Sequence, residues 1–263
     1  MASQRELDAA LLDAVDRDST TEIQALLFRR ANVTARDAHN NTPLHVASLK
    51  GHDQCVSRLL LANADINALN SSCSSPLVQA SRKGHHQCVA LLLDGNANVN
   101  ARDKESCTPL LLACRHGHHQ CVELLLRANA DINVVDLHNN TPLHWASAGH
   151  KQCVVVLLAS NADVNARDKE SCTPLLLACR HGHHQCAELL LQANADLNVS
   201  DSHNNTPLHW ASHQSHHHCV AVLIDFGADK SVVNVRIGVR SYILLIAVLI
   251  DARSIPIACW QNS

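Results

Sequence analysis

The sequence predicts an all-α solenoid of helix–turn–helix repeats joined by hairpin loops. Three observations predict it. A tripeptide Thr/Ser-Pro-Leu recurs at residues 42, 75, 108, 141, 173 and 206, at intervals of 33, 33, 33, 32 and 33. A cysteine column keeps the same step: Cys55, Cys88, Cys121, Cys153, Cys186 and Cys219. Between each tripeptide and each cysteine stands Gly-His, or Ser215-His216 in the last copy. A fixed period of 20–50 residues marks a chain whose units bury a core only by stacking on their neighbours. The segment Val99–Cys121 recurs unchanged at Val164–Cys186, and His138–Ser147 recurs at His203–Ser212, so a two-repeat block has been duplicated.

The elements follow in order. In residues 37–233, Thr42 is placed to cap a helix, and Pro43 fits the first helical position, where its missing N–H costs nothing. Leu44 and Ala47 then share a face, and Gly51 supplies a left-handed turn. Cys55, Val56, Leu59 and Leu60 form the apolar stripe of a second helix. Asn63 and its equivalents Asn96, Asn129, Asn161 and Asn194 stop it, since Asn tolerates the left-handed region. The fourth repeat lacks one residue between its helices, and the sixth has Ser215 in place of Gly. Both predict a weaker C-terminal third.

These residues resemble the ankyrin repeat. Asn41-Thr42-Pro43-Leu44-His45-Val46-Ala47-Ser48-Leu49-Lys50-Gly51-His52 carries the resemblance best, and six repeats over 37–233 share it. Residues 1–36 resemble an N-terminal capping repeat, with Ile23, Leu26, Leu27 and Ala31 in register. Residues 234–263 depart from it. The run Ile243–Ile250 is apolar all round and reads as a divergent cap or tail, a docking segment, or a misread gene end. The whole is expected to be one continuous domain.

Composition excludes several functions. The 263 residues carry a formal net charge of −3, 17% charged residues and no long single-sign run, which argues against a nucleic-acid binder. Aromatics at 2% are too few for base stacking. The N-terminus lacks the build of a signal peptide, and the longest apolar run is about half a bilayer span. The expectation is a soluble cytoplasmic protein, with the nucleus as the other compartment, whose cysteines are mostly free thiols.

Two clusters suggest chemistry. Cys114-x-His116-x-His118-His119-x-Cys121 and its copy Cys179–Cys186 have zinc-ligand composition. They also fall in the repeat register, across a helix–turn–helix, so packing is favoured and no cofactor is expected. Cys107 and Cys172 are expected to be exposed at hairpin tips, without an activating neighbour. No nucleophile–base pair, phosphate loop or distinct carboxylate pair is present, so no enzyme is expected. Asp65, Asp131, Asp163 and Asp196 recur at one register and read as turn residues.

The resemblance implies a protein-binding scaffold or adaptor, expected as a monomer. Partners would meet hairpin tips and the first-helix face on the concave side. The tips carried over include His39, Ser71, Ser72, Ser74, Lys104, Glu105, Cys107, His138, Lys169, Glu170, Cys172 and His203. The first-helix ends include Lys50, Arg82, Lys83, Arg115, His116, Arg180, His181 and His213, a basic set suited to an acidic, extended partner segment. His45, His144 and His209 are expected to tie the repeat by hydrogen bonds. The resemblance also makes Asn67, Asn100, Asn133, Asn165 and Asn198 candidates for hydroxylation, although a turn hydrogen bond is the favoured role. Two other classes remain open: a Cys/His metal-binding or redox-responsive module, and the targeting portion of a larger enzyme.

Overall fold

A computed structural model describes residues 3–228. The apolar run Ile243–Ile250 and the tail 234–263 lie outside the described residues. Among the described residues there are fourteen helices and no strands. The chain divides into two compact units, Met1–Leu137 and His138–Ser263.

In the first unit, α1 (Gln4–Asp16) and α2 (Thr20–Phe28) form the cap. Repeats one to three are α3 (Pro43–Lys50) with α4 (Asp53–Leu61), α5 (Pro76–Lys83) with α6 (His86–Asp94), and α7 (Pro109–Arg115) with α8 (His119–Arg127). First helices α1, α3, α5 and α7 stack in one layer, and α2, α4, α6 and α8 in another. The second unit repeats the plan. Its first helices are α9 (Pro142–Ser147), α11 (Pro174–Arg180) and α13 (Pro207–His213). Its second helices are α10 (Lys151–Ala159), α12 (His184–Gln192) and α14 (His217–Asp225).

Each first helix starts as the sequence dictates. Thr42, Ser75, Thr108, Thr141, Thr173 and Thr206 all accept a bond from the backbone N–H three residues on, with proline next in chain. Where the third helical residue is His, the cap becomes reciprocal. Thr42 N–H donates to His45 Nδ1 at 3.2 Å, which leaves the ring proton on Nε2 to donate to the Ser74 carbonyl at 2.9 Å in the next hairpin. His144 likewise meets the Cys172 carbonyl at 3.0 Å. One imidazole thus closes a helix end and ties two repeats.

The core is a set of columns. Leu44, Ala47, Cys55, Val56 and Leu59 are fully buried, and so are their equivalents Leu77, Ala80, Cys88, Val89 and Leu92. Free cysteine acts there as a small hydrophobe. All eleven cysteines among the described residues are free thiols.

Glycine is required at the turns for two reasons. Gly51, Gly84, Gly117 and Gly182 have φ between 78° and 82°. In addition, a Cβ on Gly51 or Gly84 would sit 2.5 Å from Nδ1 of His85 or His118, the histidine of the next repeat. Gly149 and His183, and Gly182 and His216, form the same seat. The asparagine stops also adopt the left-handed region, with φ from 59° at Asn63 to 63° at Asn96 and Asn194.

Candidate partner-binding surface

Five hairpins share one local device. A carboxylate or amide oxygen accepts two backbone N–H bonds across the turn. Asp37 Oδ1 accepts from His39 and Asn41, both at 2.8 Å, and Asp103 Oδ1 accepts from Glu105 at 3.0 Å and Cys107 at 2.9 Å. Asn70, Asp168 and Asp201 do the same. Successive tips are laced by backbone bonds, Ser71 N–H to the His39 carbonyl and Lys104 N–H to the Ser72 carbonyl in the first unit. Lys169 N–H to the His138 carbonyl and Ser202 N–H to the Glu170 carbonyl do so in the second.

Tip side chains therefore project from a fixed backbone. His39, Lys104, Glu105, His138, Lys169, Glu170 and His203 are all exposed. Three of the tip residues named from the sequence are different. Ser74, Cys107 and Cys172 are buried, which corrects the expectation of exposed thiols at 107 and 172. Their N–H groups turn back to the hairpin Asp or Asn, so the side chain is drawn inward. Cys107 packs with Val78 and Leu112. Burial, reinforced by Asp103, pushes its thiol up to about 11, and burial with Asp168 pushes Cys172 up to about 12. Neither is a nucleophile near neutral pH.

At the first-helix ends, Lys50, Lys83, Arg115, His116, His181 and His213 are exposed, and Arg82 and Arg180 half-buried. The fold brings acids to this row that the linear register did not reveal. Lys50 Nζ lies 2.6 Å from Asp16, and Arg82 lies 2.8 Å from the buried carboxylate of Asp103. Arg115 and Arg180 face Glu105 at 3.9 Å and Glu170 at 3.7 Å, as loose, exposed pairs. The surface is thus of mixed charge, with Arg82 committed to holding a hairpin.

Sequence reasoning passed over Trp145 and Trp210. Both are half-buried on first helices, one residue after the His of Thr-Pro-Leu-His. Trp210 Nε1 donates to Asp201 at 2.9 Å, and Arg180 stacks 4.6 Å from its ring centre. In a chain this poor in aromatics, the recurrence of Trp at one register was the available signal.

The Cys114–Cys121 cluster does not assemble as a ligand set. Cys114 and Cys121 are fully buried, and His116 and His119 are exposed. His118 Nε2 donates to the Arg82 carbonyl at 3.2 Å. Among the described residues, the group whose ligand atoms lie within 4.8 Å of one another is Asp18, His52 and Cys55 instead.

The family model "Ankyrin repeats (3 copies)" matches at residues 11–103, 77–168 and 161–234. The chain belongs to the ankyrin repeat family. Ankyrin repeats generally mediate protein–protein interaction and are typically non-enzymatic. Similar curated proteins are "Oxysterol-binding protein-related protein 1" of Rattus norvegicus and of Mus musculus. Each is 43% identical over 58 residues, which cover 21% of this chain and 6% of the relative. The chain therefore spans only 6% of the length of these relatives, and the likeness extends over less than two repeats. Among the described residues, no helix is long and apolar enough to cross a membrane.

Proposed function

We propose that this ankyrin array is a non-enzymatic scaffold or adaptor that binds a partner protein through its hairpin tips and first-helix ends. The supporting observation is the combination at five hairpins of a backbone fixed by side-chain bonds and by bonds between successive tips, with tip side chains left in solvent. Preorganised side chains bind at lower entropic cost than mobile ones.

The acidic, extended partner segment remains part of the proposal in a narrower form. Arg82 is engaged by a buried carboxylate, so breaking that pair is costly. Arg115 and Arg180 face exposed glutamates at 3.9 and 3.7 Å, pairs worth about 0–1 kcal/mol, and a partner carboxylate can replace Glu105 or Glu170. Lys83, Arg115 and Arg180 are then the cations that recognise the partner, with Lys104 and Lys169 beside them at the tips.

The test is affinity capture from lysate with wild type and with a triple variant, Lys83→Glu, Arg115→Glu and Arg180→Glu. Arg82 is left intact, because reversing it would oppose two carboxylates at a hairpin. Unchanged helicity and a cooperative melt are required of the variant, with some loss of stability expected from the Arg180–Trp210 contact. A partner lost from the variant, and released from wild type by moderate salt, supports the reading. Identical, salt-insensitive capture by both proteins removes the basic contribution and leaves the tips.

A further inference from the structure

Three side chains from two segments meet where the cap joins the first repeat. Asp18 lies in the turn after α1, His52 just before α4, and Cys55 in the first turn of α4. Cys55 Sγ donates to Asp18 Oδ1 at 3.0 Å, and His52 Nδ1 lies 3.8 Å from the same oxygen. All three ligand atoms are within 4.8 Å of one another.

The repeat itself supplies an internal control. The His-x-x-Cys pair recurs as His85/Cys88, His118/Cys121, His150/Cys153, His183/Cys186 and His216/Cys219. Asp18 has φ 57° and fills the left-handed turn position that later repeats give to Gly51, Gly84, Gly117, Gly149 and Gly182. Glycine brings no ligand. Asp18 places a carboxylate in the space between the histidine and the thiol of the following repeat.

We propose that Asp18, His52 and Cys55 form a site for one Zn²⁺ ion that clamps the cap to the first repeat. A sulfur, nitrogen and oxygen set suits this borderline-soft ion. Tetrahedral bonds of about 2.0–2.3 Å put ligand atoms roughly 3.3–3.6 Å apart. The observed 3.0 and 3.8 Å to Asp18 lie on either side of that range, and the histidine and thiol ligand atoms, within 4.8 Å of each other, must close on the ion. Cys55 is fully buried and anchors the site, whereas the Asp18 side chain is 51% exposed and gives the ion a way in. Water fills the fourth position from that side.

The proton balance is simple. Zn²⁺ replaces the thiol proton, which leaves to solvent. The neutral imidazole moves its ring proton to Nε2 and releases the Val15 carbonyl, which lies 2.9 Å from Nδ1. The other His/Cys pairs offer two ligands each and hold the ion far less tightly.

The test uses the reduced full chain, Zn²⁺ and Co²⁺, and the variant Asp18→Gly. Glycine is the residue that the fold uses at this turn elsewhere, so the variant keeps its structure, as circular dichroism will verify. Wild type is expected to retain one equivalent of zinc more than Asp18→Gly after exchange into metal-free buffer. Its affinity should be more than about 100-fold higher, since losing an outer-shell partner alone costs 10–100-fold. Co²⁺ should give a thiolate charge-transfer band in wild type that is absent from Asp18→Gly and Cys55→Val. Zinc should raise the melting temperature of wild type only. Equal zinc retention by wild type and Asp18→Gly, or none by wild type, overturns the site. Should Cys55→Val not fold, the Asp18→Gly comparison decides alone.

Discussion

The two units are made from one repeat, but their turns differ. In the first unit, α3 and α5 have eight residues, α7 has seven, and the closing glycines stay near φ 80°. In the second, α9 has only six residues, Gly149 opens to φ 122°, and the last turn places Ser215 at φ 61°. The missing residue of the fourth repeat is absorbed within that turn. The core beyond it is undisturbed, since Cys153, Val154 and Leu157 remain fully buried and Gly149 still seats His183. The lesson is that the columns and the Gly–His seat define the repeat, and the length of the first helix is adjustable.

The comparison can be broken most forcefully at an intact seat. Gly84→Ala combines a left-handed φ with a Cβ 2.5 Å from His118. It should cost about 2–4 kcal/mol, from backbone strain and overpacking together, as measured by urea denaturation. A loss below about 1 kcal/mol would mean that the seat is slack.

Arg82 and Arg180 share a register but not a partner. Arg82→Gln should destabilise by about 1–3 kcal/mol, because it strands the Asp103 carboxylate. Arg180→Gln should cost about 1 kcal/mol, mostly through its contact with Trp210. Equal effects in the two melts would contradict the assigned pairings.

Mild acid tests the histidines. Burial holds His45 below the usual imidazole range. In the second unit, burial and then the positive neighbours Arg180 and His181 lower His181 and His183 respectively, and burial and then His218 lower His184. These groups are neutral in the fold. The unfolded chain therefore binds more protons once pH falls below about 6.5, and stability declines from there until the folded groups also titrate. Trp145 and Trp210 both lie in the second unit, so tryptophan fluorescence in a Trp260→Phe background follows that unit directly. A urea midpoint that is flat from pH 7.5 to pH 5 would contradict the neutral assignment.

The smallest expected change is a gain. Ser215→Gly relieves the left-handed turn between α13 and α14, where this repeat lacks glycine, and should stabilise the second unit by about 1 kcal/mol. The same fluorescence readout checks it.

Much of this fold was legible in the sequence because each device is local. Thr42 before Pro43, Gly51 before His52 and Asn63 at a helix stop announce their roles within a few residues, and the structure places all three as expected. The T-P-L-H histidine was also legible as a tie, though not its reach to the next hairpin. Asn67 and Asn100 were expected to make a turn hydrogen bond. Their Oδ1 atoms accept from the Asn98 and Asp131 N–H groups, in the turns one repeat later.

The candidate surface was legible in its exposed side chains, not in its electrostatics. The acids that neutralise Lys50 and Arg82 lie 34 residues before and 21 residues after them, and no local pattern links them. Burial of Cys107 and Cys172 was hidden for a related reason. It depends on an Asp four residues earlier that draws the chain inward. The Asp18–His52–Cys55 group joins residues 37 apart and became visible only when two turns were superposed in space.

Native-state hydrogen exchange, resolved by peptide, tests most directly the claim that regular turns set the stability of this array. Amides of α3 to α6, between seats at Gly51 and Gly84, should exchange most slowly. Those of α9, α13 and α14, next to the shortened turn or to Ser215, should exchange at least about tenfold faster, as expected for lower local opening energies. Slower exchange in α13 and α14 than in α3 to α6 would contradict it.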